Sequence, residues 1–332
     1  MCGRYAASRS PDDLVEEFEV EVTDGPGPGQ DPSGVTPDFN VAPTKQAPVV
    51  LERRPRAVDG EAPRHDDATP DPAVGAEDED GDPTADAAVE SAEREATRAA
   101  ERRAEAAGSD PGEAPTAEPL RYLRLLTWGL VPSWAKDRSV GSRMINARAE
   151  GLLDKPAFRR AALARRCLVP VDGWYEWQKS PVAVDAKGRP RKQPFFIRPY
   201  ADEPAALAGL YEFWRDPELH PDDPAAWLTT YTIVTTQAEP GLDTIHDRMP
   251  LVLPRDRWDD WLDPDNQDPD AVRALLEPPI AGRFCPTPVS PRVNAVTNNG
   301  PELVQPLPLD QLHGVVDPAT GELLGSPDAP LF

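Results

Sequence analysis

The chain predicts an α+β fold: one strongly bent, barrel-like and mainly antiparallel sheet with a few flanking helices. Three observations carry this. Segments rich in β-branched, aromatic and leucine residues recur along the sequence, bounded by Pro, Gly and Asp clusters. Helical patterns are fewer, and two of the four fall after residue 250. Two strand-like segments, 47–51 and 121–128, bracket a long acidic stretch as the arms of a hairpin would bracket an enlarged loop. Runs of strands with late helices are the pattern of a single α+β domain.

The elements follow in order. Ser10-Pro11-Asp12-Asp13 is a helix start, with Ser10 as cap, Pro11 in the first turn and Leu14, Val15 and Phe18 as the apolar stripe. Strands are expected at 47–51 and 121–128, and a short basic helix at 156–165. Further strands are expected at 167–171, 194–198, 206–213 and 227–235, and helices at 255–262 and 269–276. The expected organisation is one discontinuous domain, 1–58 with 119–316, followed by a tail at 317–332.

Residues 59–118 stand apart. They hold nineteen acidic and five basic residues, no aromatic residue and two valines. Such a composition cannot bury enough apolar surface to offset the entropy of ordering it. The segment is expected to be a disordered acidic insertion in a surface loop, with 89–107 as a transient helix. Its net charge of −14 accounts for most of the chain's −23.

Composition sets other bounds. With 332 residues and 39% hydrophobic content the chain can build a sizeable core. Arg outnumbers Lys and acids abound, as in proteins of high-salt cytoplasm, where an acidic surface maintains solubility. Three cysteines do not make a disulfide framework and fit a reducing compartment. Four scattered histidines, without CxxC or HxxxH spacing, give no metal site. No apolar run approaches 18 residues, and residues 1–11 lack the pattern of a signal peptide. A cytoplasmic protein with no membrane association and no cofactor is expected.

The chemistry starts at the second residue. If Met1 is clipped, Cys2 carries a thiol and a free α-amine on adjacent carbons. The amine is partly unprotonated near neutrality, and the thiolate is a strong nucleophile. Such a 1,2-aminothiol can trap an aldehyde as a Schiff base and close it to a thiazolidine, or the amine can serve as the thiol's base in acyl transfer. A plain frayed terminus is the competing reading. Glu176, among Trp174, Tyr175 and Trp177, is either a desolvated acid–base group or a solvent-facing residue on an edge strand. His246, beside Asp247 and Arg248, is either a proton shuttle or a cap on the following turn. Asn146 either orients an amine or simply opens a loop.

Eight strings are ordered along the chain: Met1-Cys-Gly-Arg-Tyr, Asn40-Val-Ala-Pro-Thr, Trp128-Gly-Leu-Val-Pro, Ile145-Asn-Ala-Arg-Ala-Glu, Asp172-Gly-Trp-Tyr-Glu-Trp, Gln193-Pro-Phe-Phe-Ile, Ile233-Val-Thr-Thr and Ile245-His-Asp-Arg-Met-Pro. In this order they resemble the SRAP (SOS-response-associated peptidase) family, the abasic-site processing proteins, over nearly the whole chain except roughly 54–119. The resemblance implies a single SRAP-type domain acting in DNA damage repair and the SOS response. It implies covalent crosslinking of Cys2, after loss of Met1, to the ring-opened aldehyde of abasic sites in single-stranded DNA. It further implies a thiol-dependent self-processing peptidase (a hydrolase) and a weak DNA lyase. Asn146 would hold the Cys2 amine and the sugar, Glu176 would move protons during imine formation and reversal, and His246 would protonate the sugar ring oxygen. Arg4, Arg148 and Thr235 would lie near phosphates, with Pro43 and Trp134 wedged or stacked against bases. The protein would act as a monomer, nucleoid-associated when bound to DNA.

Two basic clusters bear on DNA binding despite the net acidity: Lys155, Arg159, Arg160, Arg165 and Arg166, and Lys187, Arg189, Arg191 and Lys192. Each can instead cover its own helix or loop. The rival functions are an N-terminal-nucleophile amidohydrolase resembling glutamine amidotransferases, a non-catalytic single-stranded DNA-binding module, and a thiol peptidase acting on other proteins.

Overall fold

The computed structural model describes residues 2–23, 35–54, 118–200, 205–220, 223–278 and 282–324. The chain starts with strand β1 (Tyr5–Ala7), helix α1 (Pro11–Glu17), β2 (Asp38–Val41), β3 (Gln46–Arg53) and β4 (Leu120–Trp128). It continues through β5 (Asn146–Arg148), α2 (Pro156–Ala164), β6 (Arg166–Val171), β7 (Gly173–Val184), β8 (Pro190–Pro199) and β9 (Ala205–Arg215). Then come β10 (Trp227–Gln237), β11 (Arg248–Pro250), β12 (Val252–Leu253), α3 (Trp258–Leu262), α4 (Pro269–Leu275), β13 (Phe284–Pro288), β14 (Val315–Val316) and β15 (Leu323–Leu324).

The expected α+β class with a closed, bent sheet is observed. β10, β4, β3, β6 and β9 pair in sequence, and β9 pairs back onto β10, closing a five-stranded barrel. A second sheet, in the order β13-β8-β7-β1-β2, packs with it. Most pairings are antiparallel; β10 runs parallel to both β4 and β5. The hairpin inferred around the acidic segment is present, with β3 and β4 in register from Gln46 opposite Thr127 to Arg53 opposite Leu120. The insertion at 59–118, with its transient helix at 89–107, lies outside the described residues apart from its last residue, Glu118. The tail boundary at 317 falls inside a small hairpin, because Val315–Val316 pairs with Leu323–Leu324.

Local chemistry accounts for these elements. Ser10 Oγ accepts from the Asp13 N–H and the Asp13 carboxylate accepts from the Ser10 N–H, so the expected cap is a full capping box. α2 begins at Pro156 and buries Phe158, Ala161 and Ala162. The Trp128-Gly129 string marks a close crossing of two backbones: Gly129 has φ +120°, and a Cβ there would lie 2.4 Å from the Gly141 carbonyl oxygen. Gly173 plays the same part where β7 starts, 2.4 Å (as a built Cβ) from the Ile197 carbonyl oxygen.

The two sheets share one apolar core that includes Cys2, Tyr5, Trp128, Trp174, Tyr231 and Ile245. At its centre the hydroxyls of Tyr5 on β1 and Tyr231 on β10 are 2.5 Å apart, a direct tie between the sheets. The Tyr5 ring also packs on Trp128, with centroids 5.1 Å apart.

The Gly129 crossing gives a direct test. Gly129→Ala forces both a left-handed backbone and a clash with a carbonyl oxygen, and should lower the unfolding free energy by roughly 3 kcal/mol in urea titrations. An unchanged midpoint would contradict the crossing.

Candidate functional site

β1 brings the N-terminus into the middle of a sheet. Tyr5 pairs with Val41 on β2 and with Trp174 on β7. The Tyr175 N–H donates to the Arg4 carbonyl at 2.9 Å. Continuing this antiparallel register places Gly3 opposite Glu176. The edge-strand reading of Glu176 is therefore overturned: β7 lies between β1 and β8, and Glu176 is only 3% exposed.

Cys2 is fully buried, and its thiol is pushed well up by burial and then by the Glu176 carboxylate. The thiol is thus held protonated. Asn146 Nδ2 donates to the Cys2 carbonyl at 2.8 Å. Asn146 Oδ1 accepts no hydrogen bond among the described residues, although it is buried. The position of Asn146 differs from the expected loop. It opens β5, which pairs parallel to β10 with Asn146 opposite Ile233. A three-residue strand without β-branched side chains carries no local strand signal.

Glu176 is raised to about 7, chiefly by burial, with the charge of the amino terminus pulling it back down and Asp247 adding a smaller rise. A carboxyl group poised there can give or take a proton near neutrality. Glu176 and His246 line one open cavity of about 700 Å³, with Trp177, Lys179, Lys192, Asp243, Thr244, Ile245 and Asp247. Cys2 and Asn146 are not among the lining residues.

His246 Nδ1 lies 3.0 Å from the Arg248 N–H, which donates to it, and 2.8 Å from Asp247 Oδ1. It satisfies one at a time: neutral imidazole accepts from Arg248, while imidazolium would donate to Asp247. Burial, the amino-terminal charge and Lys179 lower the imidazole's basicity, against Asp247 and the Arg248 N–H. The neutral form is thereby favoured, with the proton on Nε2 while Nδ1 accepts from Arg248.

The remaining candidates separate. Arg148 is exposed beside Asn146. Arg4 donates through Nη1 to Asn40 Oδ1 at 2.7 Å and to the Val293 carbonyl at 2.8 Å, and lies 5.9 Å over the Trp177 ring. Pro43 leads a tight turn whose next residue, Thr44, has φ +73° and donates to the Trp128 carbonyl. Trp134, 56% exposed, follows the same strand end. Thr235 is fully buried and donates to the Ala147 carbonyl at 3.4 Å, which leaves it no surface for a phosphate. Two of the five residues of the first basic cluster are also used internally. Arg166 is spent on the carbonyls of Ala162, Leu163, Trp261, Asp263 and Asn266. Arg165 pairs with Glu212 at 3.0 Å, leaving Lys155, Arg159 and Arg160 exposed.

Two supports were not singled out from sequence. Asn40 is fully buried, and its Nδ2 donates to the carbonyls of Val293, Ala295 and Asn298, so it anchors both Arg4 and the chain at 293–298. Arg248 forms a two-pronged pair with Glu150, at 2.6 and 2.9 Å, and donates to the Thr235 carbonyl. That clamp joins the His246 string to the Asn146 string. The signal was present: both residues lie inside the ordered strings.

The family model described as SOS response associated peptidase (SRAP) matches residues 1–296. Among curated proteins, Abasic site processing protein YoqW of Bacillus subtilis (strain 168) is 43% identical over 180 residues, covering 54% of this chain and 75% of the relative. Abasic site processing protein HMCES of Gallus gallus is 32% identical over 212 residues, covering 57% and 59%. Among solved structures, a protein from Bordetella bronchiseptica aligns with a TM-score of 0.51 at 18% identity, covering 87% of this chain and 100% of that one, which shows a shared fold.

The raised Glu176 carboxyl makes stability fall as pH rises. The folded state keeps its proton to about pH 7 and the unfolded state releases it near 4.5, so ionisation costs the fold between these values. Glu176→Gln should therefore match the parent protein near pH 4 and exceed it above pH 7 by up to about 3 kcal/mol in urea unfolding. A difference independent of pH would contradict the buried carboxyl.

Proposed function

The chain belongs to the SOS response associated peptidase family, and from that premise we propose that it captures abasic sites in single-stranded DNA covalently through Cys2 once Met1 is removed. The observation that carries this reading is the environment of the amino terminus. Asn146 holds the Cys2 carbonyl and keeps an amide oxygen without a partner among the described residues, while the neighbouring Gly3 lies opposite Glu176, whose carboxyl group titrates at about 7.

The steps follow from these groups. The abasic sugar is mostly a closed hemiacetal. His246, neutral with its proton on Nε2, hydrogen-bonds the ring oxygen and polarises it while the C1′ hydroxyl proton passes through water to that oxygen, opening the ring and releasing the aldehyde. The Cys2 amine nitrogen adds to the aldehyde carbon, and Glu176 supplies the proton with which the oxygen leaves as water. The thiol sulfur then adds to the imine carbon while its proton passes to nitrogen, closing a five-membered thiazolidine. A thiol held neutral by burial suits this order, in which the amine acts first. The same imine permits a weak lyase reaction: loss of a C2′ proton expels the 3′ phosphate. Cleavage of the Met1–Cys2 bond by water is the self-processing step. In this reading Arg148 and Arg4 meet phosphates, and Pro43 and Trp134 meet bases; a stacked base is worth about 1–3 kcal/mol. The substrate is DNA carrying the lesion, and the reading places the protein in DNA damage repair.

Incubation of the purified protein with single-stranded DNA bearing one abasic site should yield an adduct that survives denaturing electrophoresis. Cys2→Ala should abolish it, and Glu176→Gln and His246→Ala should each slow it by about 10²–10⁴-fold. An adduct that persists in Cys2→Ala, or none with the parent protein, would overturn the proposal. Release of ammonia from glutamine would favour an amidohydrolase instead.

A further inference from the structure

The β7–β8 ribbon carries a feature that the capture chemistry does not use. Lys179 on β7 and Lys192 on β8 are directly opposite in the antiparallel register, and both are exposed. Like charges facing each other across a strand pair are destabilising unless an anion lies between them. Neither lysine forms a salt bridge among the described residues. Of the cations further along the ribbon, Arg189 pairs with Asp185 at 2.8 Å and Arg191 donates to the His313 carbonyl.

The position of the pair narrows the choice of anion. Lys179 and Lys192 line the cavity that holds Glu176 and His246, and they also line a second cavity of about 500 Å³ with Arg189, Arg191 and Asn294. They stand where the two cavities meet. Asp243 and Asp247, which also line the first cavity, repel phosphate, so a neutral sugar suits the cavity and an anion suits the junction. Lys179 lies three residues beyond Glu176, about 10 Å along the strand. The chain carries a net charge of −23, so electrostatic attraction to DNA has to come from local basic tracts such as this one.

We propose that Lys179 and Lys192 form a phosphodiester-binding clamp that receives the DNA backbone flanking the lesion and leads that strand out along the β7–β8 ribbon. This rests on the reading of the cavity as an abasic-site pocket and adds to it the path of the strand. A point charge on a flexible stem, as in lysine, suits a mobile single strand better than a fixed fork would.

The probe is a single-stranded oligonucleotide with an unreactive tetrahydrofuran abasic analogue, its binding measured across salt concentrations. Replacing one shared phosphate contact should reduce the log–log salt slope by about 0.7 in K179Q/K192Q. A neutral methylphosphonate linkage beside the lesion should weaken the parent protein and leave the double variant unaffected. Lys192→Gln alone should raise the Tm of the free protein, since it relieves the cross-strand repulsion. Equal salt slopes in parent and double variant, or equal losses from the neutral linkage, would overturn the clamp. If the parent still forms the Cys2 adduct under those conditions, only the clamp fails; if it neither binds nor reacts with abasic DNA, the underlying reading fails with it.

Discussion

The insertion of β1 between β2 and β7 is the constraint on which the rest of the molecule depends. A terminal strand at a sheet edge would leave Cys2 mobile. Here both edges of β1 are paired, and Tyr5 is tied to Tyr231 across the core. The register then sets Gly3 opposite Glu176 and draws the Cys2 carbonyl onto Asn146. The barrel contributes by holding β10 in place, and β10 in turn aligns β5, which carries Asn146. Two sheets thus converge on one backbone segment.

Burial has a second effect, on protons. The same low-polarity environment that fixes the terminus raises the Cys2 thiol and the Glu176 carboxyl and lowers His246. Near neutrality the Glu176 shift costs stability in the folded state, as expected for a group held in service of chemistry rather than of packing. The Glu150–Arg248 pair offsets part of the cost of the loop that carries His246, since its Arg248 end is largely shielded from water while Glu150 remains half exposed.

The sequence made local features legible and long-range ones less so. The Ser10 cap, the β3–β4 hairpin and the strands at β6, β8, β9 and β10 each carry their signal within a few residues. The barrel was inferred from the number of strands, but the parallel pairing of β5 with β10 was not, because register between distant segments is set by contacts that no local pattern encodes. The same reason hid the burial of Glu176, which depends on β1 covering β7. Arg165 and Arg166 show the converse: their residue type favours phosphate contact, yet the fold uses them internally. The ordered strings identified the family and named Cys2, Asn146, Glu176 and His246; Glu176 and His246 line the cavity, and Asn146 is hydrogen-bonded to Cys2.

Tandem mass spectrometry of the N-terminal peptide, after reaction with abasic single-stranded DNA and nuclease digestion, tests the central claim most directly. The account predicts a peptide that begins at Cys2 and carries the sugar remnant on Cys2 itself. Adducted peptide that retains Met1, or a remnant found on a lysine such as Lys179, would contradict it.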